Sequence, residues 1–237
     1  MRFALLIFAG NDTGSNVSGT SQGLNDLRQL ITHCPDITSA NIYVPGQAKD
    51  KFGRDEHLPM LGIQIYFEEL SQLEQATASG GYLQQLQEIE ILSPSSKGTW
   101  ITQQAMYVRH YAVDAPDLEA EKNGLYCSYV VHYPGPAVDQ DQWMHHYIGH
   151  HPPIMRTFPG IRSIEILTRV DWISFLPWQR VNYMQRNRVM FDNQQALTDA
   201  LPSPTRDAMR ADFEKFPPFH GGNHHYPMLT TIVGAKS

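Results

Sequence analysis

The sequence predicts an α+β fold in which two successive ferredoxin-like halves, each of order βαββαβ, close on each other as an intramolecular α+β barrel. Three observations carry this: strand-length apolar runs alternate with helix-spaced ones, the order repeats after a polar break, and the halves share a local sequence echo. The halves are expected at 1–115 and 124–237.

The first half opens with Arg2 to Ala9, an apolar run of strand length followed by the turn-rich Gly10-Asn11-Asp12-Thr13-Gly14-Ser15. After Ser21, Leu24, Leu27, Leu30 and Ile31 recur at helical spacing until Pro35 stops the helix, and Ser39 to Val44 reads as the second strand. A charged loop, Lys49 to His57, leads to a third strand in which Ile63, Ile65 and Phe67 share a face. Helix resumes through Leu70, Leu73, Leu83 and Leu86 on either side of Gly80-Gly81, and the β-branched and aromatic run Thr99 to Val113 is the fourth strand.

The polar segment Asp114 to Gly124 marks the boundary, and the order then repeats. Leu125 to Tyr133 is a strand, Val138 to His150 a helix, and Ile161 to Val170 and Asn182 to Phe191 are strands. Helix interrupted at Pro202 and Pro204 lies within Asn193 to Phe216, and Tyr226 to Val233 closes the half. Pro35-Asp36-Ile37-Thr38-Ser39-Ala40-Asn41-Ile42 matches Pro159-Gly160-Ile161-Arg162-Ser163-Ile164-Glu165-Ile166 at four positions, with the same helix-to-strand placement. Helices cover one face of each four-stranded sheet, so the sheets are expected to face each other. The mostly apolar face of Ile161 to Val170, carrying Arg162, Ile164, Ile166 and Thr168, then turns inward, and any small-molecule cavity lies between the sheets.

Hydrophobic residues at 41% and charged residues at 18% suit a chain that buries a core. Eighteen Lys plus Arg against 24 Asp plus Glu leave a net charge of −6 with no block of like charge, which argues against nucleic acid and membrane as partners. Phe3 to Ala9 falls far short of the ~20 residues of a bilayer span and lacks a signal-peptide cleavage pattern, so a cytoplasmic protein is expected. Cys34 and Cys127 have no metal-type partner at short spacing and read as structural thiols.

Chemistry concentrates in His132-Tyr133-Pro134-Gly135-Pro136 and the helix after it. Five of the eleven histidines lie between 132 and 151, and a pocket lined by histidine can take and return protons without a metal or organic cofactor. Trp143, Tyr147 and His151 are four residues apart and stack along one helix face, while His145 and His146 point elsewhere. Pro152 and Pro153 are expected to end or kink the helix, leaving His151 at a C-terminus whose dipole favours the protonated ring. Beside Tyr147 it would form an acid/base pair.

Residues 132–168, from the Tyr-Pro-Gly turn through Trp143, Tyr147 and His151-Pro152-Pro153-Ile154 to Phe158-Pro159-Gly160-Ile161-Arg162, resemble the EthD family of the dimeric α+β barrel superfamily. That family ends a helix in a His-x-Pro-Leu-like run ahead of a Pro-Gly-hydrophobic turn. His33-Cys34-Pro35 imitates His-x-Pro, but its alignment with the turn implies no second site. The superfamily includes muconolactone isomerases, cofactor-free monooxygenases, polyketide cyclases and decarboxylases. The resemblance therefore implies acid/base chemistry on a small cyclic or aromatic-derived compound, with Tyr147 and His151 on the acting positions.

Trp143 and His132 are expected to shape the pocket. Asn182, Met184, Arg186, Arg188 and Met190 share one strand face that could turn either way, and Asn182 and Arg186 are candidate substrate-binding residues, the arginine suiting a carboxylate. His146 and His150 form a His-x-x-x-His pair without a third ligand in frame, so a solvated helix face is expected and no metal, and His224-His225 reads as loop. The expectation is a cofactor-independent lyase, isomerase or cyclase, with a cofactor-free monooxygenase close by. A haem-binding barrel and a non-catalytic small-molecule-binding or stress-response module are the alternatives. Pairing of two chains as a homodimer is left open.

Overall fold

The structure is a computed structural model that describes residues 2–11, 21–52, 59–93, 98–116 and 125–234. Its first half comprises β1 (Phe3–Asn11), α1 (Ser21–Thr32), β2 (Ile37–Pro45), β3 (Leu61–Phe67), α2 (Leu70–Thr77) and β4 (Thr99–Tyr111). Short 3-10 turns at Tyr82–Glu88 and Glu90–Leu92 follow α2, and Gly80, at φ 127°, makes the break between them. The second half comprises β5 (Tyr126–Tyr133), α3 (Gln140–Met155), β6 (Ile161–Arg169), the two-residue β7 (Gln179–Arg180), β8 (Gln185–Phe191), α4 (Gln194–Ala200), α5 (Pro204–Phe213) and β9 (His224–Gly234). Most of the expected boundary at 114–124 lies outside the described residues. No described helix is long and apolar enough to cross a membrane.

The eight long strands pair in the order β1-β3-β2-β9-β5-β8-β6-β4, and β4 returns to pair with β1, closing an antiparallel barrel. Closure leaves none of the eight long strands as a sheet edge. The seams between the halves, β2–β9 and β4–β6, are equivalent by strand position. So are the two helix-to-strand turns. Asp36 at φ 63° and Gly160 at φ 72° precede β2 and β6, and each strand then shifts register, between Ile37 and Ser39 and between Ile161 and Ser163. The echo read in the sequence is thus one repeated piece of backbone geometry.

Three side-chain layers result. One core lies between the first-half strands and their helices, a second between the second-half strands and α3, α4 and α5, and a third lines the barrel interior. The barrel filling is more polar than expected. Ile164 and Ile166 turn outward to the helices, whereas Glu165 turns inward, so the apolar face of β6 is the helix-covered one. Inside, Glu165 pairs with Arg188, both buried, and accepts hydrogen bonds from Tyr66 (2.7 Å) and Gln64 (3.0 Å). Gly62 lies across from Phe8 and Tyr43 on the neighbouring strands, and their rings stack parallel over it. A Cβ there would meet Phe8 at 2.7 Å and Tyr43 at 2.9 Å, so the packing requires glycine.

Two connections cross between the halves. The β6–β8 connection carries Trp172, Leu176 and Trp178 into the first-half core, tied down by Gln103 Nε2 donating to the Leu176 and Trp178 carbonyls at 2.9 and 2.8 Å. The β2–β3 connection carries Asp50 and Phe52 in the opposite sense, onto α5 of the second half. The first crossing fills its layer with two indoles. The second leaves a cavity.

Candidate active site

The cavity beside His151 leaves about 40 Å³ of free space, is partly open to solvent, and lies between the sheet and the helices of the second half, outside the barrel. That volume holds a few waters, each needing ~10–15 Å³. Alternation explains its floor: on β5, Tyr129, Val131 and Tyr133 face the helices while Val130 and His132 face the barrel, and on β8 Asn187 and Val189 face the helices while Arg186 and Arg188 face the barrel. α3 supplies His151 and Met155, and α5 supplies Arg206, Met209 and Phe213.

The helix-face reading is correct, with one change. α3 continues through Pro152 and Pro153 to Met155, so His151 lies a turn before the helix end. Trp143, Tyr147 and His151 do form a stack, with ring centroids 5.0 and 4.8 Å apart. The surroundings oppose the expected protonation. Burial pushes His151 below its usual value, outweighing the upward pull of Asp212. His151 Nδ1 donates to Asp212 Oδ2 at 2.7 Å. That bond fixes the tautomer and leaves Nε2, on a residue lining the cavity, as the acceptor.

Asp212 serves two imidazoles, since His146 Nε2 donates to its other oxygen at 3.1 Å. Burial tends to raise its pKa, but these two histidines hold the carboxyl below its usual range. His146 is therefore part of the site rather than a solvated face, and His150 stacks on it at 4.5 Å. Tyr147 accepts from Asn187 Nδ2 at 2.6 Å, and burial pushes its hydroxyl well above the usual value, so it stays neutral. The Asn187 Oδ1 is buried without a partner among the described residues, which leaves an acceptor on a second cavity-lining residue.

Arg206 closes one wall. Its guanidinium binds Asp50 bidentately, Nε donating to Oδ1 at 3.1 Å and Nη2 to Oδ2 at 2.7 Å, Tyr129 donates to the same carboxylate at 2.5 Å, and Phe52 lies over the guanidinium at 5.0 Å. His225 stacks on Tyr129 and lines the cavity; burial, reinforced by Arg206, pulls it down to about 3, so it too is neutral. It lies in β9, which His224 opens, rather than in a loop.

The remaining expected site residues separate. Trp143 is core, packed on Tyr133 and Phe216. His132 and Arg186 lie inside the barrel, on the other side of the sheet from His151, because one residue along a strand reverses the face. Asn182 is exposed before β8 and lines none of the cavities described. Cys34 and Cys127 are buried free thiols. Among the described residues no cluster of three His, Cys, Asp or Glu is placed to hold a metal.

No family model and no curated protein matches the chain. Solved structures do. An anthrone oxidase-like protein superposes with a TM-score of 0.61 at 13% identity, over 100% of this chain and 94% of its own. A candidate monooxygenase from Fusobacterium nucleatum superposes at 0.60 and 8%, over 98% of this chain and 94% of its own. This chain has the dimeric α+β barrel fold. Both halves of its barrel lie on one polypeptide. An EthD family protein from Bacillus halodurans aligns with 47% of the barrel chain and 99% of its own at 19% identity, with a TM-score of 0.34.

Proposed function

We propose that the protein is a cofactor-independent enzyme in which His151, oriented by Asp212, draws a proton from a small cyclic or hydroxylated, aromatic-derived substrate held between sheet and helices. The observation that carries this is an imidazole tied at Nδ1 to a carboxylate and biased by burial toward its neutral form, with Nε2 left as acceptor on the wall of a mostly apolar cavity. Asn187, held by Tyr147, adds an acceptor for a substrate hydroxyl. Arg206 and the neutral His225 face the developing oxyanion.

The deprotonated substrate is an enolate or phenolate. Return of the proton at another carbon is isomerisation, and loss of a leaving group is a lyase reaction. The names of the structural neighbours favour a third outcome, in which the carbanion adds O₂, the peroxide anion takes the proton back from His151, and the hydroperoxide loses water to leave a carbonyl.

The first step is measured directly by NMR in D₂O. Anthrone, a cyclic 1,3-diketone and an unsaturated lactone are each incubated with the protein, and loss of the acidic C–H signal is followed. Exchange at least ~100-fold above buffer is expected with one of the three, accompanied by O₂ uptake if oxidation follows. Exchange no faster than buffer with all three overturns the proposal.

A further inference from the structure

We propose that the barrel interior holds a second site, separate from the first, where Arg186 binds the carboxylate of a small organic acid. Arg186 is 1% exposed. No Asp or Glu lies within ion-pair distance among the described residues. Its only hydrogen-bond contact there is Nη1 donating to the His132 ring, at 2.7 Å. The Nε–H is buried and unpartnered, and Nη2 makes no hydrogen bond among the described residues. The Nε and Nη2 donors form the edge that grips a carboxylate with two parallel hydrogen bonds.

Arg188 is the internal control. It points into the same barrel from the same face of β8, and its charge is met by Glu165 through hydrogen bonds and an ion pair at 2.7 Å. One buried cation has its acid; the other has aromatic rings. Phe8 and Tyr183 lie 5.0 and 4.4 Å from the Arg186 guanidinium, which offsets only part of the desolvation of an unbalanced charge. His132 brings no negative charge. Burial and the Arg186 charge hold it well below its usual value, and Arg186 is itself drawn down to about 10.

The surroundings narrow the ligand class. His132 packs edge-on against Tyr183 and Tyr226 at 5.7 and 5.0 Å, and His224 stacks on Tyr226 at the start of β9. Tyr183 and Tyr226 are half-buried and His224 is exposed, so this end of the barrel communicates with solvent. A monoanion balances the single guanidinium charge, whereas a phosphate dianion would leave one charge unmatched. The aromatic rim suits a carboxylate on an apolar or aromatic body.

Thermal unfolding and calorimetry with sodium benzoate and sodium acetate, against chloride and phosphate at equal ionic strength, test this. Benzoate and acetate are expected to raise the Tm saturably, by about 3–6 °C, and chloride and phosphate to do less. Arg186→Met is expected to lose that response and, lacking the unbalanced charge, to be at least as stable as the parent in anion-poor buffer. If it does not fold, Arg186→Gln takes its place and must weaken benzoate binding at least tenfold. His151→Ala must leave benzoate binding unchanged, since its ring lies across the sheet. A carboxylate response that survives at position 186, disappears with His151, is absent from the parent, or is matched by chloride or phosphate overturns the proposal.

Discussion

His151→Ala is expected to lower substrate proton exchange by about a thousandfold, within the ~10²–10⁴ range of a general base, while the barrel still forms. The ring packs edge-on against Phe216 and beside Tyr147 on an otherwise intact helix, so its loss opens a small cavity beside an existing one. Asp212 keeps its bond to His146. Asp212→Asn separates orientation from proton transfer. The imidazole remains, but an amide does not enforce the Nδ1–H tautomer, and at least a tenfold loss is expected. The pH profile gives the decisive sign. Only neutral His151 accepts a proton, so the rate rises with pH through the His151 pKa, which burial places below 6.5, and is flat above it. Asp212 pulls that pKa upward, so Asp212→Asn must move the rising limb to lower pH. A variant lacking the imidazole that exchanges within tenfold of the parent removes His151 as the base, and an unmoved limb in Asp212→Asn removes its partner.

The helix face of this site was legible because spacing alone determines it: residues 143, 147 and 151 stack whatever lies beneath them. The layer they face was not. Every residue of β3 and β8 is buried, because these strands are covered by helices on one side and face the barrel interior on the other. Alternation identifies the inner face only where the other face is wet. His132 and Arg186, candidates for the same pocket as His151, therefore both turn into the barrel, one step along their strands from the residues that face the helices.

Asp212 left a fainter trace. Met209, Asp212, Phe213 and Phe216 recur at helical spacing, so a carboxylate sits in an apolar stripe, and a buried acid in such a stripe needs a cationic or hydrogen-bonding partner. Asp50 and Arg206 left none, since their pairing depends on a connection crossing between halves that are 156 residues apart in the chain at this contact. The same crossings explain why a repeated fold has one described cavity of this kind. Trp172, Leu176 and Trp178 fill the first-half layer from one direction, whereas Phe52 caps the second from the other.

Glu165→Gln carries the largest expected effect on stability, because the barrel filling is built around that carboxylate. Arg188, Tyr66 and Gln64 all direct donors at Glu165, Tyr43 donates to Gln64 Oε1 at 2.7 Å, and Asn41 donates to Tyr66 at 2.9 Å. Neutralising it leaves a 3% exposed guanidinium without a counter-charge, which destabilises by about 3–5 kcal/mol, or roughly 10 °C in Tm at this chain length. Burial alone would raise the Glu165 pKa, but Arg188 overrides it and holds the carboxyl below 4.5. The stabilisation is therefore complete above pH 4.5 and fades as pH falls through the depressed value. Parent and variant should converge in acid and differ most near neutrality. The double variant Glu165→Leu with Arg188→Met removes both charges together and is expected to recover most of the loss, since an apolar pair of similar volume avoids the desolvation of two ions. Chemical denaturation at pH 7 and pH 3 reads all three. If Glu165→Gln costs less than about 1 kcal/mol at pH 7, or if the gap does not narrow in acid, the pair is not what organises the barrel interior.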